Sequence, residues 1–402
     1  MMTRPAPSPP SSPASSPSSS PPLSSGTPPA GGPAGGLFGI IAAWVSAFLA
    51  GFTRPSRLAF WIMVAVAGAM LALTLVFFSP AGVRGPLGAY LPRSDRHAGA
   101  FVTRDALQLE AAGGAVPRLV FMGSSTIGQV VGDGRDLAAA LSMRTGVNWS
   151  PHVLTMPVQS PLEQIALIER ITGNRSPDDA PMIILLGMGA HRFGWDPARL
   201  REFAATPRLG LRSDAADAEL IRAGGQPAWR PGVPHLDNFA FYAASGTAAL
   251  TRLMAQRPAR RRVDVDSFGI TRDNAAFARS TILDQINKID SNGPRYLKMQ
   301  GRIAALAQAA PGVHVVFVEE SLSPGFIRDT GLGARQAEVL QRFQAFARGQ
   351  DTEFWPVVAE SGVTAADFMD DLHVRRGTPQ MQVREILVAR LTGLITARGM
   401  AP

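Results

Sequence analysis

Two short stretches of this chain hold residues that could carry out nucleophilic chemistry. The first is "RLVFMGSSTIGQ", residues 118 to 129, an apolar run that ends in Gly123-Ser124-Ser125. A strand followed by a glycine and a small hydroxyl residue projects that hydroxyl beyond the sheet, where backbone N–H groups are free to face an oxyanion. An ordinary turn has the same composition, so one of the two serines becomes a candidate only if a base can reach it. The chain offers His97, His152, His191, His235, His314 and His373. His373 stands out in "FMDDLHVRRG", because Asp370 lies three residues before it. That spacing lets a carboxylate accept from one imidazole nitrogen while the other faces a serine. The plainer alternative is that Asp367, Asp370 and Asp371 are solvated loop acids and His373 is a surface histidine.

Other chemistries find less in the sequence. Glu319 and Glu320 end an apolar run, but no second acid is placed for glycoside cleavage, and a structural role is expected for them. No histidine pair stands at helical spacing and the acids are scattered, so no metal site is expected. "GLGARQ" (331 to 336) follows a loop rather than a strand, which argues against a dinucleotide site, and no cofactor is expected. The chain has no cysteine, which excludes disulfides and thiolate nucleophiles. Its formal charge is +8 with only Lys288 and Lys298 as lysines, so the excess is arginine. Those arginines are scattered among acids and aliphatics rather than interleaved with aromatics, and nucleic acid is not an expected partner.

The elements that must hold these residues follow from the pattern. With 402 residues and 46% apolar side chains, the chain has material for one large domain and additions. Residues 1–36 are Pro, Ser, Gly and Ala with few apolar side chains, the composition of a disordered tail. An apolar run at 37–52 is followed by "TRPSR", and then by "LAFWIMVAVAGAMLALTLVFF" at 58–78. Twenty-one helical residues span about 30 Å, a bilayer core, so 58–78 is expected to be a retained membrane anchor within a membrane region 37–79. The first run would then be an interfacial helix or the first arm of a hairpin turning at Arg54 and Arg57. Residues 80–114 are expected to be a linker.

From about 115 the pattern alternates. "RLVFMG" (118–123), "HVLTMPV" (152–158), "PMIILLGM" (181–188), "VHVVFVEE" (313–320) and "TEFWPVV" (352–358) are expected strands. Helical segments separate them, ending with one from about Pro379 to Arg398. This predicts an α/β fold, a three-layer sandwich with a mostly parallel central sheet and helices on both faces. Residues 190–290 break the rhythm and are expected as an insertion over the sheet's carboxyl edge, a candidate substrate lid.

With "GSS" after the first strand and "DDLH" after the last, residues 115–398 resemble the SGNH (GDSL-like) hydrolase superfamily, in particular its membrane-anchored branch associated with envelope polysaccharide O-acylation. The family's first block is Gly-Asp-Ser. Its match here is Gly123-Ser124-Ser125, which implies Ser125 as nucleophile and puts Ser124 where Asp is usual. The family's Asp-x-x-His block is matched by Asp370 and His373. The glycine that usually lends an N–H to the oxyanion hole falls near "TMPVQS", at Val158 or a neighbour. The Gly-x-Asn-Asp block falls in "LLGMGAHRFGW" in either of two registers, one putting Gly189 and the other His191 at the Asn position. His191, beside Arg192 and Trp195, reads equally as a polar loop residue.

The resemblance implies a membrane-anchored serine esterase or O-acyltransferase in a bacterial inner membrane. Its catalytic domain would be periplasmic, its substrate an acylated polysaccharide or other envelope polymer, and a multi-span membrane acyltransferase would supply the acyl group. The alternative expectation is a non-catalytic, membrane-tethered scaffold that binds polymer or a synthesis complex.

Overall fold

The computed structural model describes residues 57–85, 87–91, 98–228, 232, 237–255 and 275–400. The tail 1–36, the apolar run 37–52, Arg54, His97 and His235 lie outside the described residues. The chain divides into two units, residues 1–67 and 68–402.

Helix α1, Arg57–Phe77, contains the run expected as the anchor. Its window Arg57–Thr74 has a mean hydropathy of 1.9 and none of it is buried, so by length and composition it could cross a membrane. Large apolar side chains such as Leu58 and Trp61 stand exposed along it.

Strands β1 (Arg118–Met122), β2 (Ser150–Val153), β3 (Met182–Met188), β4 (Val313–Glu319) and β5 (Glu353–Trp355) form one sheet in the order β2-β1-β3-β4-β5. All four pairings are parallel. The register sets Phe121 beside Leu185, Leu186 beside Phe317, and Val318 beside Trp355. β1 and β3 are buried throughout, which explains their unbroken apolar runs: a parallel sheet covered on both faces leaves no solvent side for polar residues. β2 and β5 are shorter than the apolar runs expected for them. Pro356 stops β5, since proline has no N–H for the ladder. β2 gives way to a loop that reaches Pro157 and Val158, the latter with φ of +47°.

Alternate residues of each strand feed opposite cores. Val120, Met122, Ile184, Leu186, Val315 and Phe317 pack on one face. The helices there include α3 (Ala98–Ala111), α6 (Pro161–Thr172), α11 (Ile289–Gln308) and α13 (Gly333–Gly349). Leu119, Phe121, Ile183, Leu185, Val316 and Val318 pack on the other. Their partners are α4 (Ser125–Val131), α5 (Arg135–Thr145), α14 (Val357–Glu360) and α15 (Thr378–Ala397). The expected α/β class with helices on both faces is what the chain adopts.

Two expectations change. Residues 80–114 are not a simple linker: they carry α2 (Pro80–Arg84) and α3. Val102, Ala106 and Leu109 recur at helical spacing and are buried in the main core, so this segment belongs to the folded body. The segment 190–290 is not one lid. It contains α7 (Pro197–Ala205), α8 (Asp214–Arg222), α9 (Phe239–Met254) and α10 (Ala275–Asn287). α8 packs on α6, and α9 joins α2 in a satellite core of Val83, Leu87, Leu91, Ala100, Tyr242 and Ala249. α10 lies against the turn at 190–192, beyond the end of β3, and so reaches the carboxyl edge.

Candidate active site

The sheet order reverses direction between β1 and β3, and the crevice beyond the carboxyl ends of strands at such a point is where open parallel sheets hold ligands. Ser125 stands there, as the first residue of α4 immediately after β1. Gly123 makes the turn with φ of +145°, a conformation closed to other residues. Ser124 caps α4: its Oγ accepts the Thr126 N–H at 3.3 Å. The Ser124 side chain is thus spent on starting the helix that carries Ser125.

His373 comes from the loop between α14 and α15. That loop is fastened to the segment after β4, where the Ser323 N–H donates to the Asp371 carbonyl at 2.8 Å and the Ser321 hydroxyl donates to the Leu372 carbonyl. Within the loop, the Met369 N–H donates to the His373 carbonyl at 2.8 Å. The outcome is a relay. Ser125 Oγ is 2.9 Å from His373 Nε2, and His373 Nδ1 is 2.8 Å from Asp370 Oδ2 and 3.0 Å from Oδ1. Asp370 Oδ1 also accepts the Leu372 and His373 N–H groups, both at 2.7 Å. Burial pushes the Asp370 carboxyl upward, but the His373 ring and these two N–H groups outweigh it and hold the carboxyl below its ordinary value. His373 is only 5% exposed, so the imidazole is shielded from water that would compete for its hydrogen bonds.

The structure therefore brings Ser125, His373 and Asp370 together from 248 residues apart. No protein-family model matches the chain, and a comparison with curated proteins finds no match. The site's chemistry must be read from its own geometry.

Beneath Ser125 lies a buried polar cluster that the spacing of residues did not announce. Glu320, 1% exposed, follows β4 and accepts the Ser124 N–H through Oε1 at 2.6 Å. Its Oε2 is 3.2 Å from His191 Nε2 and 3.6 Å from Arg192 Nε. Burial alone would raise the Glu320 carboxyl, yet Arg192, His191 and the Ser124 N–H together hold it down to about 2. Gln159, fully buried, accepts the Gly123 N–H through Oε1 at 2.8 Å and donates to the Leu154 carbonyl at 2.7 Å. Arg192 donates to the Gln159 carbonyl, which ties the two polar groups into one network.

These contacts revise the expected oxyanion donors. His191 is 9% exposed and turned toward Glu320, and its Nδ1 is buried with no hydrogen-bond partner among the described residues, so the ring is not presented to the crevice as a donor. Gly189 supplies room instead: a Cβ there would sit 2.7 Å from the His191 ring and 2.9 Å from Glu320 Cβ. Both registers of that block thus end at Glu320. Val158 is different. It lies one residue before Gln159, is 44% exposed, and holds a left-handed backbone that is strained for a β-branched residue. Its N–H, like that of Ser125, has no acceptor among the described residues.

The remaining candidates are apart from the site. His152 and His314 lie on β2 and β4. Glu319 turns to the other face, where its Oε2 accepts the Val358 and Ala359 N–H groups at 3.0 Å each. Among the described residues no three His, Asp or Glu side chains gather as a metal would need. α10 adds Arg279, which contacts Asp371 at 3.3 Å beside the relay and lies over the Phe326 ring.

Proposed function

We propose that this chain is a membrane-anchored serine esterase or O-acyltransferase of the SGNH type, acting on acyl groups of an extracytoplasmic polysaccharide or envelope polymer. The observation that carries the reading is the hydrogen-bonded relay Ser125–His373–Asp370 at the carboxyl edge of a parallel sheet. His373 Nε2 takes the proton of Ser125 Oγ as the oxygen attacks the ester carbonyl. Asp370 keeps the second proton on Nδ1 and balances the imidazolium that forms. The tetrahedral oxyanion faces the N–H groups of Ser125 and Val158. Collapse breaks the ester bond, and the leaving alcohol receives the proton from His373. The acyl-serine then passes to water or to a sugar hydroxyl, which His373 deprotonates in turn. α1 supports the anchor, which would set the site on the periplasmic side, beside a multi-span acyltransferase as acyl source.

A fluorophosphonate probe applied to the full chain tests this. Labelling that disappears in Ser125→Ala supports the proposal. Labelling that persists in Ser125→Ala removes Ser125 as nucleophile, and a chain that never labels is better read as a tethered scaffold. In cells, His373→Ala should change the acyl content of an envelope polymer.

A further inference from the structure

Four N–H groups converge where β1 turns into α4, and three of them are taken. The Gly123 N–H goes to the Gln159 carboxamide, the Ser124 N–H to Glu320, and the Thr126 N–H to Ser124 Oγ. Only the Ser125 N–H is left without an acceptor among the described residues. The carboxylate that takes the Ser124 N–H comes from the residue after β4, 196 residues away in sequence, and needs space directly under the turn. Three glycines leave that space. A Cβ on Gly187 would sit 2.6 Å from Glu320 Oε1, one on Gly123 would sit 2.8 Å from the same oxygen, and one on Gly189 would meet Glu320 Cβ at 2.9 Å. A carboxylate buried only for stability would not need to sit under the nucleophile's own turn. Buried ion pairs add little over an apolar packing of the same volume.

We propose that Glu320 is a positioning residue of the nucleophile turn. By fixing the peptide before Ser125, with Arg192 and His191 compensating its charge, it aims the Ser125 N–H into the crevice and holds Oγ on His373. The inference rests on the serine-nucleophile reading for its catalytic consequence. The clamp itself can be tested without any activity.

Two variants separate the clamp from bulk stability. Glu320→Gln keeps an oxygen for the Ser124 N–H. The double variant Glu320→Leu with Arg192→Met removes acceptor and counter-charge together and leaves no lone buried ion. Amide hydrogen exchange is followed at Ser124 and, as reference, at Ile184 in the middle of β3. In the double variant the Ser124 amide should exchange at least about tenfold faster, the value of one hydrogen bond to a charged group, with Ile184 unchanged. Glu320→Gln, which keeps an acceptor but leaves Arg192 without its counter-charge, should not accelerate Ser124 beyond Ile184. Fluorophosphonate labelling of Ser125 should slow at least about tenfold in the double variant and recover in Glu320→Gln. Unchanged exchange at Ser124 in the double variant overturns the clamp, and so does equal acceleration at Ser124 and Ile184, which would mean general loosening. A wild-type chain that fails to label defeats the serine-enzyme reading, while the exchange comparison still decides the clamp.

Discussion

Replacing Asp370 by Asn probes the relay where its geometry is most constraining. Two backbone donors, the N–H groups of Leu372 and His373, fix an acceptor at the Oδ1 position, each at 2.7 Å. An asparagine must therefore put its carbonyl oxygen there and its NH₂ at the Oδ2 position, 2.8 Å from Nδ1 of His373. That NH₂ donates, so Nδ1 must accept and the imidazole proton moves to Nε2. Across the 2.9 Å contact, Nε2 then donates to Ser125 Oγ and can no longer take its proton. The base is lost with no heavy atom displaced. A wrong tautomer in a serine triad costs about four orders of magnitude in rate, which is about 5.4 kcal/mol at 1.36 kcal/mol per decade. The backbone hydrogen bonds survive, so the fold should hold. The assay is the rate of fluorophosphonate labelling at Ser125, with thermal melting as the control for folding. A variant that melts like wild type and labels within about tenfold of it refutes the claim that Asp370 sets the tautomer.

Three further outcomes are expected. Val158→Gly should stabilise the chain by about 1–2 kcal/mol, by relieving the positive φ, and keep the labelling rate; a glycine variant that melts no higher than wild type refutes strain at this position. Burial, only partly offset by the Val358 and Ala359 N–H groups, pushes Glu319 up to about 7 from an ordinary 4.5, so its contribution to stability is complete below about pH 4.5 and is lost as the pH rises through 7. Glu319→Gln should therefore gain on the order of 3 kcal/mol over wild type at about pH 8 and nothing at about pH 4 in denaturant unfolding, and equal gains at both would contradict the sign. Gly187→Ala should cost about 1–3 kcal/mol through contact with Glu320, while Gly393→Ala in α15, with open space at its Cβ, should gain about 0.5–1 kcal/mol; melting curves of the two variants check the contrast.

The strands were legible because a doubly covered parallel sheet writes itself as short apolar runs, and β1, β3 and β4 fall within a residue or so of those runs. The two halves of the relay were legible because each is local: Gly123-Ser124-Ser125 ends a strand, and Asp370 and His373 share one turn. Glu320 was visible as an acid at a strand end, yet nothing local distinguishes it from Glu319, because the pleat alone sends one to each face. Gln159 carries no spacing signal at all, since its partner is a backbone N–H 36 residues back. Gly187 and Gly189 carry no spacing signal for their role, which is to be small beside the Glu320 side chain that arrives from the end of β4. Residues 80–114 were misread because the buried positions of α3, Val102, Ala106 and Leu109, are interspersed with polar and charged residues and make no continuous apolar run.

The 248 residues between Ser125 and His373 also set a clock. A ribosome adding roughly 5–20 residues per second needs roughly 12–50 s to get from one to the other. Throughout that interval the growing polypeptide has its serine but no base, because the imidazole is supplied by a loop that follows the last strand. A nascent chain in that interval therefore cannot form the Ser125–His373 contact, which waits until the loop carrying His373 has been made.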